Sequence, residues 1–141
     1  MTTTASRVRG GVGESVARPD AVPKLRGDFA FASDQWADDM LWGATVRSPH
    51  PSAHVVAIDA APALAIPGVH AVLTAEDVPG RGTFGLDHAD QPVLARSEVR
   101  FWGEPVAVVA AADERTARAA AAAVVVTYEV LSPVVDAEAA A

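Results

Sequence analysis

Apolar and polar residues in this chain fall into short blocks punctuated by proline and glycine, and two of these blocks share a layout. From Arg47 to Gly80 (RSPHPSAHVVAIDAAPALAIPGVHAVLTAEDVPG) the pattern reads as turn, strand, helix, strand. His54 to Asp59 predicts a strand, and Ala60 to Ile66 a short helix stopped by Pro67-Gly68. Val69 to Leu73 then returns as a strand. Thr74, followed three residues later by Asp77, predicts a capping box and one helical turn. The second block runs from Glu98 to Leu131 (EVRFWGEPVAVVAAADERTARAAAAAVVVTYEVL). A short strand over Glu98 to Phe101 leads through the turn Gly103-Glu104-Pro105 into Pro105 to Ala111. That run is apolar on both alternating faces, which predicts a central strand buried on two sides.

Asp113 suits an N-cap, with Glu114 in the first turn complementing the helix dipole. The helix predicted over 114–123 gathers Ala117, Ala120, Ala121 and Val124 on one stripe, with Arg115 and Arg118 outside it. Such small residues permit close approach to a sheet while burying little area. In the return strand, Val124 to Val130, Val124, Val126 and Tyr128 share one face, opposite Val125, Thr127 and Glu129. The two strand–helix–strand units repeat a layout without repeating a sequence. Elsewhere, Met40 to Val46 predicts a strand with mixed faces, and LRGDFAF, after Lys24, a short strand with Gly27 as its turn point. Asp34 to Asp39 reads as a polar surface turn, and Pro79 to Asp90 as a long glycine-rich loop. The expected class is α+β: a mixed sheet, two strand–helix–strand units and one main Ala-rich helix. Residues 1–24 lack periodicity and read as a flexible arm, leaving 25–141 as the domain.

Composition narrows the function classes. The 141 residues contain no cysteine, so disulfides, thiolate metal ligands, iron–sulfur ligation and cysteine nucleophiles are excluded from them. A net charge of −7, with the basic residues scattered, argues against nucleic acid as a partner. The longest apolar run, Ala119 to Val126, is too short to span a bilayer, and the first residues lack the apolar core of a secretory signal. The expectation is a cytoplasmic protein with no membrane partner.

Candidate chemistry dissolves on inspection. His50 and His54 have the spacing of a helical metal pair, but Pro49 and Pro51 flank His50 and forbid a regular helix there. His70 and His88 are isolated. Gly13-Glu14-Ser15-Val16-Ala17 imitates a nucleophile elbow without its last glycine or a preceding strand. Gly10 to Gly13 has no phosphate-loop ending. The acid pairs Glu76-Asp77 and Asp113-Glu114 sit at predicted helix starts, where capping explains them, and Asp38-Asp39 lies in a surface turn. Asp87 and Asp90 belong to a solvated loop. Arg47 follows an apolar strand and precedes Ser48-Pro49, which fits a bond to backbone carbonyls, a partner protein, or simple solvation. No catalytic, cofactor-binding or metal residue is assigned. Arg47, His54, Gly68, Gly103, Trp102 and Tyr128 are carried forward as interface or structural candidates, with Phe101, Trp102 and Tyr128 read as core or interface anchors.

An ordered set of short motifs carries a family resemblance. It comprises Arg18-Pro19-Asp20, Gly27 to Asp34, Arg47-Ser48-Pro49-His50 with Ala53-His54, Ile58-Asp59, Pro67-Gly68-Val69 and Ala71-Val72-Leu73-Thr74. It continues with Asp77-Val78-Pro79-Gly80, Val99-Arg100-Phe101, Gly103-Glu104-Pro105-Val106-Ala107 and Tyr128-Glu129. From about Val12 to Asp136 the chain resembles the α/β-hammerhead domain of the molybdenum hydroxylases: xanthine dehydrogenase, aldehyde oxidase and the large subunit of aerobic carbon monoxide dehydrogenase. Ser132 departs from the Leu-Pro usual after Tyr-Glu, and Pro51-Ser52 adds a step before Ala53-His54. The resemblance implies hydroxylation of a purine, an aldehyde or a related heterocycle, chemistry that the cofactor carries. It places molybdopterin and the catalytic glutamate in the region after the hammerhead domain, and iron–sulfur and flavin groups on other domains or subunits. It therefore implies an N-terminal structural domain, inert alone, whose partners are the molybdopterin-binding domain or subunit and an iron–sulfur subunit. The alternative is a stand-alone interaction subunit without chemistry.

Overall fold

The structure, a computed structural model, describes residues 12, 13 and 15–140. Residues 1–11 of the expected arm, with Gly10 and Gly11 of the Gly10 to Gly13 stretch, and Glu14 of the elbow-like motif lie outside the described residues. The chain divides into two units, Met1–Asp38 and Asp39–Ala141.

In the first unit the strand expected over LRGDFAF is replaced by helix α1, Ala21–Arg26. Local chemistry explains the change. Asp20 and Lys24 form an ion pair one turn apart at 2.6 Å. Pro23 sits in the first turn, where a missing N–H has no helical partner to lose. Gly27 closes the helix in the left-handed conformation, φ 78°. Apart from Leu25, the apolar residues of LRGDFAF fall after the helix, where Phe29 and Phe31 meet edge to face and Lys24 Nζ lies 4.6 Å from the Phe29 ring centre.

The second unit contains β1 (Trp42–Arg47), β2 (Ala53–Asp59), α2 (Ala61–Leu64), β3 (Val69–Leu73), β4 (Thr83–Phe84) and β5 (Gln91–Pro92). It continues with β6 (Glu98–Val99), β7 (Pro105–Ala111), α3 (Glu114–Ala123) and β8 (Val125–Val130). The α+β class and the Ala-rich helix are as expected, but the strands do not form one mixed sheet. Every ladder is antiparallel, in a first sheet of order β1-β7-β3 and a second of order β6-β2-β8. The reason lies in the crossovers. The first strand–helix–strand block leaves the second sheet at β2 and arrives in the first at β3; the second block leaves the first sheet at β7 and arrives in the second at β8. Neither helix returns its chain to the sheet it came from, so no parallel pair arises. Within the glycine-rich loop, β4 pairs antiparallel with β5, which follows the loop directly.

Helix α3 packs over β1 and β7, and α2 packs on α3 and β3. One cluster joins Val46, Ala63, Ala107, Val109, Ala120 and Val124; a second joins Ala53, Ala95, Val99 and Val106. Ile58 and Val126 pack against both, tying the two sheets together. The ladder between β1 and β7 shifts register between Val46 and Arg47, leaving Val106 as the extra residue of a bulge. Val106 and Ala107, neighbours in sequence, are both fully buried as a result.

Candidate functional site

Where β1 ends, three parts of the sequence meet: Arg47 to His50, Arg100 to Glu104, and Tyr128 of β8. Backbone bonds fix the first two together. Ser48 N–H donates to the Glu104 carbonyl at 3.0 Å, and Gly103 N–H to the Ser48 carbonyl at 3.0 Å. Arg47 Nη1 adds a bond of 2.9 Å to the Gly103 carbonyl. Gly103 makes this turn with φ 83°, a conformation that glycine adopts without a Cβ penalty.

Two buried polar side chains hold the junction from within. Ser48 Oγ accepts the His50 N–H at 3.0 Å and donates to the His50 carbonyl at 3.0 Å. This closes the turn that Pro49 and Pro51 force. Glu104 accepts the Arg100 N–H at 2.5 Å and the Arg100 guanidinium at 3.2 Å. The carboxylate is 3% exposed and Arg100 is 46% exposed. Burial of the charge is thus offset by charge-assisted bonds from a single neighbour.

Tyr128 closes the back of the junction. Its ring meets His50 edge to face, centres 5.1 Å apart. Its hydroxyl is buried and makes no hydrogen bond. Burial raises the phenol above its ordinary value, while the nearby Ser48 hydroxyl acts in the opposite sense without reaching bonding geometry. A cleft of about 410 Å³ adjoins it, between Val46 and Arg47 of β1, the end of α3, and Val126 and Tyr128 of β8.

The other sequence candidates lie apart from this junction. His54 is exposed on β2, in register with Glu98 on one side and Glu129 on the other. It is not brought to His50, whose ring is turned to Tyr128. Gly68, φ 89°, follows α2, and its carbonyl accepts the Ala112 N–H at 2.8 Å, placing β3 against the end of β7. Phe101 and Trp102 project from the β6–β7 turn, largely exposed, so neither is a core anchor. His70 and His88 are exposed. Asp77 Oδ2 accepts the Thr74 N–H and Asp113 caps the Thr116 N–H, as capping predicted. Glu76 pairs instead with Arg96 at 2.8 Å.

Sequence reading missed Ser48, Glu104 and Arg100. The signal on offer was a lone acid between Gly103 and Pro105, at the mouth of an otherwise apolar strand, with arginine four residues before it. The junction offers structural bonds and two exposed guanidinium groups, those of Arg47 and Arg100, with donors to spare. It does not bring a nucleophile to a base.

A family model for the aldehyde oxidase and xanthine dehydrogenase a/b hammerhead domain matches residues 26–132. The chain belongs to this hammerhead family. It is 39% identical over 117 residues to a probable xanthine dehydrogenase component of Bacillus subtilis, covering 83% of this chain and 16% of that protein. It is 36% identical over 129 residues to the nicotinate dehydrogenase large molybdopterin subunit of Eubacterium barkeri, covering 92% of this chain and 30% of that one. The solved quinoline 2-oxidoreductase of Pseudomonas putida superposes with TM-score 0.76 at 38% identity, over 91% of this chain and 17% of that one. The hammerhead chain thus spans under a third of the length of these relatives.

The described residues offer no set of side chains that would ligate a metal directly. Among the described residues no three His, Cys, Asp or Glu side chains converge to hold a metal. Glu104 and Asp113 of the hammerhead chain are engaged as well, the first by Arg100 and the second by Thr116. Among the described residues no helix is long and apolar enough to cross a membrane.

Proposed function

We propose that this chain is the N-terminal hammerhead domain of the large subunit of a molybdopterin-dependent oxidoreductase of the xanthine dehydrogenase and aldehyde oxidase kind. Its work in that enzyme is structural: it packs against the molybdopterin-binding region and helps seat an iron–sulfur subunit. It supplies no catalytic group itself. Residues 25–141 form the domain and 1–24 an arm. Arg47, Trp102 and Tyr128 act at or behind its contact surface, Gly68 and Gly103 set its turns, and His54 lies on the outer side of the second sheet. Molybdopterin binds in the following region or a partner, iron–sulfur and flavin groups on other domains or subunits, and the assembly works in the cytoplasm.

The observation that carries the reading is the match of residues 26–132 to the hammerhead stretch alone, in relatives several times longer whose names include a large molybdopterin subunit. The test is to purify the chain alone and together with the large-subunit polypeptide encoded next to it. The chain alone is expected to hold no molybdenum and turn over no purine, aldehyde or heterocycle. The joint preparation is expected to contain molybdenum, iron and hydroxylase activity. Stoichiometric molybdenum or turnover in the chain alone overturns the inert role. A folded chain that never joins that polypeptide is instead a separate interaction subunit.

A further inference from the structure

The outer face of the first sheet is built like an interior. Its register rows run Thr45–Val108–Leu73 and Gly43–Ala110–Ala71, with Pro105 opposite Arg47. An antiparallel sheet that packs on helices through one face ordinarily turns polar side chains to water on the other. Here β7 carries no polar side chain on either face, while α2 and α3 cover only one of them. Over the other lies a groove of about 470 Å³ lined by Val108, Pro105, Leu73 and Val93, with Arg47 and Asp77 also on its wall. Leu73 is 43% exposed and Val93 40%.

The sheet also ends in an open edge. β1 pairs with β7 on one side and with no strand among the described residues on the other. Its one charged residue, Arg47, is turned to the Gly103 carbonyl, and it carries no lysine or proline to guard the free edge. An apolar face beside an unguarded edge suits a permanently covered surface, since obligate contacts are the more apolar class.

Resting on the large-subunit reading above, we infer that this face and the β1 edge seat the remainder of the large-subunit polypeptide. An apolar segment lies over Leu73, Val93 and Val108, and an extended stretch pairs along β1 by strand addition. The length of the relatives supports this occupant. The chain spans 16% of the Bacillus subtilis protein, so most of such a polypeptide lies outside it. A second copy of this chain fits less well, because two copies each with net charge −7 repel one another.

The probe is the purified large-subunit remainder, titrated against the full 141-residue chain. Leu73→Glu and Val93→Glu are each expected to weaken binding at least about tenfold, because the new carboxylate loses its water in an apolar contact. Val56→Glu, at an exposed position of β2 in the other sheet, is expected to bind as the parent does. Far-ultraviolet circular dichroism checks that the variants fold, and β1 amides should gain hydrogen-exchange protection in the complex. If the parent chain binds while both first-sheet variants bind equally well, the inferred face is wrong and the large-subunit reading stands. If the parent chain itself does not bind, the large-subunit reading falls, and the inference with it.

Discussion

A carboxylate that is 3% exposed has given up its water, and Glu104 replaces that water with the amide and guanidinium of Arg100. Glu104→Ala removes the acceptor and frees the turn that holds Ser48 and Arg47. Its expected cost is about 3 kcal/mol, the low end for a broken buried pair because Arg100 stays half in water. Glu104→Gln keeps an oxygen for the Arg100 N–H and should lose roughly half as much; urea unfolding midpoints measure both. Tyr128, the sole tyrosine, makes a second test simple. Its folded phenol lies above the ordinary value of 10.0, so near-ultraviolet tyrosinate absorbance should titrate later in the native chain than in denaturant. The native state then holds the proton more tightly than the unfolded state. Stability from this group is therefore intact below the unfolded value and declines as pH rises through the folded one. Tyr128→Phe should remove that alkaline decline. Arg47 and Tyr128 were visible in the sequence because each stands out from an apolar strand. Ser48 and Glu104 were not, because their partners are set by a turn that only the folded chain brings into register.

Helix α3 shows what local pattern can and cannot reveal. Its bounds were legible because a cap, a dipole-matched acid and a helical stripe coincide within a few residues. Ala120 on the stripe is fully buried against the sheet, whereas Ala122 is exposed. Ala120→Leu should overpack this contact by about 1–3 kcal/mol, while Ala122→Leu should be close to neutral in thermal unfolding. At the other end Asp113 accepts the Thr116 N–H at 2.9 Å and the Thr116 hydroxyl at 2.7 Å, and these bonds hold its carboxyl below the ordinary 3.8. A lowered folded value means that its contribution is present above 3.8 and fades as acid protonates the native carboxylate. Asp113→Ala should thus lower the melting temperature at neutral pH, with the difference closing on acidification. The division into two antiparallel sheets was not legible. Strand–helix–strand blocks look alike whether the helix returns its chain to the same sheet or carries it across to another. The α1 segment misled for a related reason: the Asp20–Lys24 pair that supports a helix lies mostly before the apolar run.

The molecule keeps its small residues inside and its large ones out. The core clusters are made of alanine, valine and little else, and Val99, Val106 and Val109 are the largest apolar side chains that are fully buried. All three tryptophans face solvent instead: Trp36 is 77% exposed, Trp42 46% and Trp102 70%. Indole gives up much favourable transfer energy when it stays in water, so a chain that leaves every tryptophan outside places its large apolar groups for contact rather than for self-packing. The isolated chain should therefore emit at the long-wavelength position of hydrated indole, be quenched readily by acrylamide, and change little in emission on unfolding. Trp42 begins β1, the edge inferred to receive an added strand. Joining the large-subunit remainder should move part of the emission to shorter wavelength and protect it from acrylamide. Trp42→Phe should remove that part, whereas Trp36→Phe should leave the shift in place. Short-wavelength, quench-resistant emission from the chain alone would show that its tryptophans are already buried, leaving the three indoles no surface to offer a partner.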